Sequence, residues 1–338
     1  MNEPSRQVHL DFHTSEHIPG IGSRFRKEQW QEALQLGRVN LINIFAKCHH
    51  GWSYYPTQIG HVHPHLAFDL LGSQIEACHE IGVRAPIYFT VGWSANDAEQ
   101  HPEWCLRDKN GQIHVSTWDF SAGPETPKPN FSWKSLCVGT PYHELIRAQT
   151  EELCRMYPVD GFWYDIYQVT GGCYCEYCQR GMRERGLDPN RPADAELYRV
   201  DTVRAHADEL RELILSYHPH ASVYFNGITT LDRPMNLQYR LFEVNTKNDL
   251  EDLPTTWGGY DKLPIRAKFF NKQGKPAVAM SGKFHTSWGE FGGFNDPEAI
   301  RAEAATMIAY GVRCNFGDQL HPCGEMDLET YRNIGHAY

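Results

Sequence analysis

Residues 141–167, PYHELIRAQTEELCRMYPVDGFWYDIY, set a helix-like run (141–156) ahead of a short aromatic strand, GFWYDIY (161–167), that carries an acid near its end. The same unit, an amphipathic stretch leading into a buried strand, recurs along the whole sequence. Strands are predicted at VHLDFHT (8–14), VNLINIFAK (39–47), RAPIYFTV (84–91), SVYFNG (222–227), within 241–253, at AVAMSG (277–282) and at CNFGDQL (314–320). Helices are predicted over 64–81, 197–217 and 297–310 as well; in the first, Leu66, Leu70, Leu71, Ile75 and Cys78 recur at helical spacing. Gly37, Gly82, Gly274 and Gly311 stand shortly before strands, where they fit helix C-caps. Eight strands alternating with helices in 338 residues is the count of a (β/α)8 TIM barrel, an α/β fold. An open doubly wound sheet competes, but no glycine-rich phosphate loop follows the first strand. A single barrel domain over 1–338 is expected, the first strand beginning near residue 8 and GDQLHP closing the eighth by residue 322.

Composition narrows the function by exclusion. With 32 Lys+Arg against 42 Asp+Glu the net charge is −10, and no basic cluster invites nucleic acid or an anionic membrane. A chain 41% hydrophobic and 22% charged is globular. No apolar run reaches the ~18 residues of a membrane span, and the opening MNEPSRQVHL does not read as a signal peptide. Ten cysteines then read as reduced thiols in a cytoplasmic protein. The excess of 18 His, 9 Trp, 17 Tyr and 16 Phe suits a wet, carbohydrate-like site.

Long inserts at 92–140 and 168–200, rich in Trp, Pro, Gly and Cys, follow strands three and four and so fall on the catalytic face of a barrel. Polar or titratable groups stand at nearly every strand end. Strand one ends Asp11-Phe12-His13, strand two Lys47-Cys48-His49-His50-Gly51-Trp52, and strand four Trp163-Tyr164-Asp165. Asn226 ends strand five; Glu243, Asp249, Glu251 and Asp252 surround strand six, with Trp257 beyond. Lys283, His285, Trp288 and Glu290 follow strand seven, and Asp318, Gln319 and His321 end strand eight. One such residue is ordinarily a cap or a loop hydrogen-bonder. Together they predict a polar cup with aromatic walls.

Two chemistries compete for that cup. His9-x-Asp11-x-His13 superficially matches the opening of a metal-dependent amidohydrolase, but Asn226-Gly227 ends strand five and residues 240–256 hold no histidine. Alternation along a strand puts His9, Asp11 and His13 on one face without any metal. Glycoside hydrolysis needs two carboxylates flanking the scissile bond. Asp165, at the end of a buried aromatic strand, suits the nucleophile, with Glu251, Glu243 and Glu290 as candidate partners. Trp52, Trp257 and Trp288 suit stacking on sugar faces, while histidines suit hydroxyl groups.

At these residues the chain resembles the group called hypothetical glycosyl hydrolase 6, which underlies the α-L-fucosidases of glycoside hydrolase family 151. The resemblance is nearly full length. It runs through HLDFHTSEHIPGIG (9–22), AKCHHGWSYYPT (46–57), DGFWYDI (160–166), CYCEYC (173–178), LEDLPTTWGGYD (250–261), MSGKFHTSWGEFGG (280–293) and GDQLHP (317–322). A weaker similarity links it to family 29 α-L-fucosidases, through His49-His50-Gly51-Trp52, which lacks that family's Asp, and Trp163-Tyr164-Asp165. That family's Glu before a Trp-Gly-Tyr element is similar to Glu251 before Trp257-Gly258-Gly259-Tyr260, which puts strand six at 246–252 and favours Glu251 over Glu243, with Glu290 second. The resemblance implies a retaining α-L-fucosidase with Asp165 as nucleophile and no cofactor for catalysis. His13, His49, His50 and His285 would hold sugar hydroxyls, and Tyr164, Asn226, Lys283, Asp318 and His321 would complete the substrate site. It also allows a homo-oligomer. The competing expectations are a barrel that binds a glycan without cleaving it, and a glycosidase for another sugar such as a galactoside.

Cys173-x-Cys175-x-x-Cys178 has thiolate spacing suited to tetrahedral zinc but supplies three ligands. Family 42 β-galactosidases carry a similar cluster, completed by a cysteine near the end of the strand-three insert, and Cys137 occupies the like position. A structural Zn2+ is the implied occupant. Three thiols buried in a loop turn are the simpler account.

Overall fold

The computed structural model describes residues 4–116, 133–167, 171–231, 235–255, 259–285 and 288–338. Eight strands form the barrel: β1 (Arg6–Asp11), β2 (Leu41–Lys47), β3 (Ile87–Thr90), β4 (Gly161–Asp165), β5 (Ser222–Phe225), β6 (Asn248–Glu251), β7 (Ala277–Gly282) and β8 (Arg313–Gln319). They pair in the order β6-β7-β8-β1-β2-β3-β4-β5, every neighbour parallel. Between β5 and β6 the circuit closes on a seam that side chains help to build. Thr246 N–H donates to the Val223 carbonyl at 2.9 Å, Val223 N–H to the Thr246 hydroxyl at 2.7 Å, and Phe225 N–H to the Asn245 side-chain oxygen at 3.0 Å.

A helix follows each strand: α1 (Lys27–Leu36), α2 (Leu70–Glu80), α3 (Tyr142–Met156), α4 (Pro192–Tyr217), α5 (Met235–Phe242), α6 (Lys262–Phe270), α7 (Pro297–Ala309) and α8 (Leu328–Ala337). Helices on the outside and side chains within bury both faces of the sheet, so β2, β4 and β7 are buried at every residue. Inside, Phe45 stacks on Tyr88 with centroids 3.6 Å apart, Tyr88 on Trp163 at 5.5 Å, and His9 leans on Trp163 at 4.5 Å. This aromatic plug fills the barrel beneath its mouth.

Three expectations shift. The first strand stops at Asp11 rather than running to residue 14, because the Tyr54 hydroxyl takes over the backbone beyond it, donating to the Phe12 carbonyl (2.8 Å) and accepting from Thr14 N–H (3.2 Å). The helix expected from residue 64 starts at Leu70, where the Asp69 carboxylate accepts from Gly72 N–H at 2.8 Å. After α1 the left-handed residue is Arg38 (φ +52°), not Gly37 (φ −75°). Gly37 is needed for room instead, since a Cβ there would lie 2.8 Å from the Tyr331 ring.

Candidate active site

Asp165 is the last residue of β4, and three donors converge on its buried carboxylate. They are the Tyr88 hydroxyl from β3 (2.6 Å), Asn226 Nδ2 from the end of β5 (2.9 Å) and the Ile166 backbone N–H (2.8 Å). Ile166 holds φ +57°, a rare backbone for a β-branched residue, of the kind that gathers at functional sites. The turn that aims its N–H at Asp165 also drives its carbonyl against Gly92, where a Cβ would lie 2.1 Å away.

The same Asn226 Nδ2 donates to Glu251 Oε2, again at 2.9 Å. Two bonds from one nitrogen hold the accepting oxygens no further apart than twice that length. This limit accommodates the roughly 5–5.5 Å carboxyl spacing of retaining glycosidases. Burial first, and then the Asp165 charge, push Glu251 up to about 7, against the Asn226 bond. By surface area Glu251 is only half-buried, because its carboxyl opens on the cavity, yet the surrounding protein withholds bulk water. Burial also raises Asp165, but its three hydrogen bonds favour the charged form and counter that rise. Both carboxyls are pushed up, and Glu251 is the one that reaches about 7, which suits it to carry the proton of the pair.

Two histidines adjoin them. The Thr90 hydroxyl donates to the Trp93 carbonyl at 2.6 Å, so His49 Nδ1–H donates to Thr90 Oγ1 at 2.7 Å. Burial keeps His49 neutral, and its Nε2 lone pair faces the cavity 3.5 Å from Asp165. His13 stacks on it with centroids 3.9 Å apart. Burial opposes a charge on His13 while Asp11 favours one strongly, yet the His49 backbone N–H donates to His13 Nδ1 at 3.1 Å and needs that nitrogen's lone pair. The bond geometry decides: His13 is neutral, its proton on Nε2 facing Asp11 at 3.2 Å.

These groups open on a cavity of about 750 Å³ at the C-terminal end of the barrel. Asp11, His13, His49, Asp165, Asn226 and Glu251 are among its polar groups, with Lys262 and Arg266 as cations in the lining; Trp93, Trp133, Trp163 and Trp288 supply aromatic wall. Trp93 and Trp133 stack with centroids 6.0 Å apart and ring planes 10° from parallel. Trp288 Nε1 donates to Asp11 at 3.2 Å, and its ring lies where a Cβ on Gly317 would come within 2.6 Å. Size, enclosure and a few convergent polar groups fit a small polar ligand.

Not every residue singled out in the sequence reaches this cavity. Asp165, Glu251, His13, His49, Asn226 and Trp288 do. Glu290 accepts from His285 N–H at 3.1 Å and packs towards Gly293, while His285 is exposed. Glu243 is exposed and pairs with Arg204 at 2.9 Å. His50 lies edge-on to Trp133 (5.0 Å), and Trp52 donates to Glu16 at 3.3 Å. Tyr164 faces the helices rather than the interior, its hydroxyl 2.7 Å from Thr150 of α3. Lys283 and Asp318 form a buried ion pair at 3.3 Å, and His321 Nδ1 lies 3.0 Å from the Cys323 sulfur. Trp257 lies outside the described residues. Conversely, Tyr88, Trp93, Trp133 and Arg266, which meet the two acids or the cavity, were not singled out. Arg266 takes the Glu251 carbonyl (3.0 Å) and Asp252 (2.6 Å), bracing the end of β6. The position of Trp93 and Trp133 in the strand-three insert was the one signal available for them.

In a separate pocket of structure the four sulfurs of Cys137, Cys173, Cys175 and Cys178 all lie within 4.8 Å of one another, and all four residues are buried. Tetrahedral zinc with Zn–S bonds of about 2.3 Å would set them about 3.8 Å apart; Cys137 and Cys178 stand at 3.5 Å. Buried Arg199 donates to the Cys137 sulfur at 3.5 Å, and among the described residues its guanidinium has no carboxylate partner. A buried cation needs a compensating anion, which a metal-bound tetrathiolate supplies. The donor set fits a thiophilic ion. No helix among the described residues is long and apolar enough to cross a membrane.

Residues 26–166 match the family model described as hypothetical glycosyl hydrolase 6. Over 99% of its length the chain is similar to α-L-fucosidase isoenzyme 2 from Paenibacillus thiaminolyticus, at 42% identity and TM-score 0.89, and it spans 49% of that structure's chain. The fold, at 13–14% identity, also matches the α-L-fucosidase AlfC of Lactobacillus casei in complex with α-L-fucose (TM-score 0.54; 94% of this chain, 80% of that one). A GH29 α-L-fucosidase from Bacteroides thetaiotaomicron matches likewise (TM-score 0.56; 94% and 60%). No curated protein matches the sequence.

Proposed function

The chain is a relative of the hypothetical glycosyl hydrolase 6 family and, along nearly its whole length, of an α-L-fucosidase; from that premise we propose that it is a retaining, exo-acting α-L-fucosidase. The observation that carries this reading is the single amide nitrogen of Asn226 bridging Asp165 and Glu251. In the first step an Asp165 oxygen bonds to the anomeric carbon as the glycosidic bond breaks, and the Glu251 proton passes to the departing oxygen. In the second, Glu251 takes a proton from water, whose oxygen displaces Asp165 and restores both groups. His49 Nε2, an acceptor 3.5 Å from the nucleophile, suits a sugar hydroxyl donating between them. Substrate identity is supported by the relatives, and retention by the short span between the two acids that one shared donor imposes.

The decisive assay offers a panel of aryl glycosides and follows the anomer released by proton NMR. Turnover of the α-L-fucoside, with α-L-fucose as the first product, is expected. Release of the β-anomer would overturn retention, turnover of a galactoside alone would overturn the sugar, and binding without turnover would leave a glycan-binding barrel.

The cysteine set supports a structural Zn2+ on Cys137, Cys173, Cys175 and Cys178; four thiolates close its coordination shell, so it would cross-link and not catalyse. One zinc per chain in the purified protein, lost in Cys175→Ser, is the expected result, and a metal-free wild type would refute it. None of the ten cysteines is paired in a disulfide, which suits a cytoplasmic setting.

A further inference from the structure

We propose that the four-cysteine cluster is a positioning device for substrate binding: through the segment 133–137 it holds Trp93 and Trp133 as a stacking wall for one face of the bound sugar. The proposal rests on the carbohydrate reading of the cavity. Neither the two tryptophans nor any link from the cluster to the site follows from the catalytic assignment above.

Trp133 and Cys137 are the two ends of one short segment. Between them the chain is sewn into the strand-three insert by backbone bonds. Leu136 N–H donates to Gly92 (2.8 Å), Ser135 N–H to His114 (2.9 Å), Leu106 N–H to Ser135 (2.8 Å) and Cys137 N–H to Trp104 (2.9 Å). Trp93 pairs antiparallel with Ser135, so both tryptophans hang from this ribbon. Cys137 then anchors the ribbon to the other insert, which carries Cys173, Cys175 and Cys178. Around that anchor Met182, Ala195 and Tyr198 are buried and Leu106, Tyr174, Tyr177 and Leu187 partly so, in a small cluster apart from the main core. So small a patch buries little area; one backbone bond, Tyr174 N–H to the Arg107 carbonyl at 2.9 Å, also crosses between the inserts, and bonds to a metal would add the strong tie. At the far end the wall meets the chemistry. His49 lies edge-on to Trp93 (5.0 Å) and to Trp133 (5.6 Å), and it faces Asp165. Aromatic rings lining the cavity beside the nucleophile suit the apolar C–H face of a pyranose. Such a contact, made alike in ground and transition states, sets KM more than kcat.

The test uses the full chain, with an aryl α-L-fucoside as substrate, and reads KM, kcat, zinc content and the near-UV circular dichroism of the tryptophans. Trp133→Ala is expected to raise KM about tenfold, lower kcat less than about threefold and keep its zinc. Cys175→Ser, remote in sequence from the wall, is expected to lose zinc, change the near-UV spectrum and raise KM alike. The double variant should be no worse than the worse single one, because both changes remove one contact. Reversible chelation of the wild type should reproduce the spectral and KM changes, and zinc should restore them. A folded Cys175→Ser that loses zinc yet keeps wild-type KM and spectrum overturns the proposal, as do multiplicative effects in the double variant. Should Cys175→Ser not fold, unchanged KM and spectrum after chelation overturn it equally. A wild type that neither binds nor cleaves the fucoside refutes the sugar reading instead; the spectral response to chelation then still tests the coupling.

Discussion

Asp165→Asn is expected to cost the enzyme roughly a thousandfold or more in kcat/KM on an aryl α-L-fucoside, about 4 kcal/mol of transition-state stabilisation. The amide cannot form the glycosyl ester, so the double displacement has no first step. Folding should survive. Asp165 accepts from Ile166 N–H and Asn226 through Oδ1 and from Tyr88 through Oδ2. An asparagine that keeps its oxygen at the first position turns its NH2 towards Tyr88 and His49. The Tyr88 hydroxyl can turn to accept, and His49 Nε2 already presents a lone pair. No buried donor is left facing another. Melting temperature and turnover, measured together, check this; substantial residual turnover would remove Asp165 from the nucleophile's role.

Glu251→Ala should fall roughly a hundredfold or more on poor leaving groups, the span of general acid–base assistance, and much less on activated aryl fucosides that need no proton. Azide should rescue it, giving the fucosyl azide of retained configuration, because the cavity left by Glu251 admits a small anion to the glycosyl-enzyme. Glu290→Ala should show neither the loss nor the rescue, since Glu290 holds the His285 backbone outside the cavity. Rescue of the Glu290 variant alone would reverse the assignment. The pH profile carries a matching sign. The proposed mechanism needs Asp165 charged and Glu251 protonated, and Glu251 is pushed up to about 7. The wild-type kcat/KM should therefore decline as pH rises through about 7, and that alkaline limb should disappear in Glu251→Gln assayed with an activated leaving group.

How much of this was legible in the sequence depends on the range of the interaction that decides each feature. Asp165 was legible because a lone acid ends an aromatic strand, and in a parallel barrel every strand ends on one face. Glu251 was ranked ahead of Glu290 only by resemblance; the residue pattern left the two open, because both lie in glycine- and aromatic-rich stretches and differ only in which way the chain turns. Tyr164 shows the opposite failure. It adjoins Asp165, but alternation along β4 sends it out to Thr150, while Tyr88 on the neighbouring strand points in to the carboxylate.

The sequence by itself determined the alternation of strands with helices that counts to a barrel, the face on which function would gather, the aspartate near its centre and a set of cysteines spaced for a metal. Those features rest on periodicity and local spacing, which a linear chain carries. The tertiary structure alone decided that one asparagine bridges the two acids, that Ile166 bends back against Gly92, that burial beside Asp165 pushes Glu251 up, and that Cys137 shares a ribbon with two tryptophans of the cavity lining. Each joins residues distant in the chain, and its energy depends on ångström-scale distances and exclusion of water that exist only once the barrel has closed.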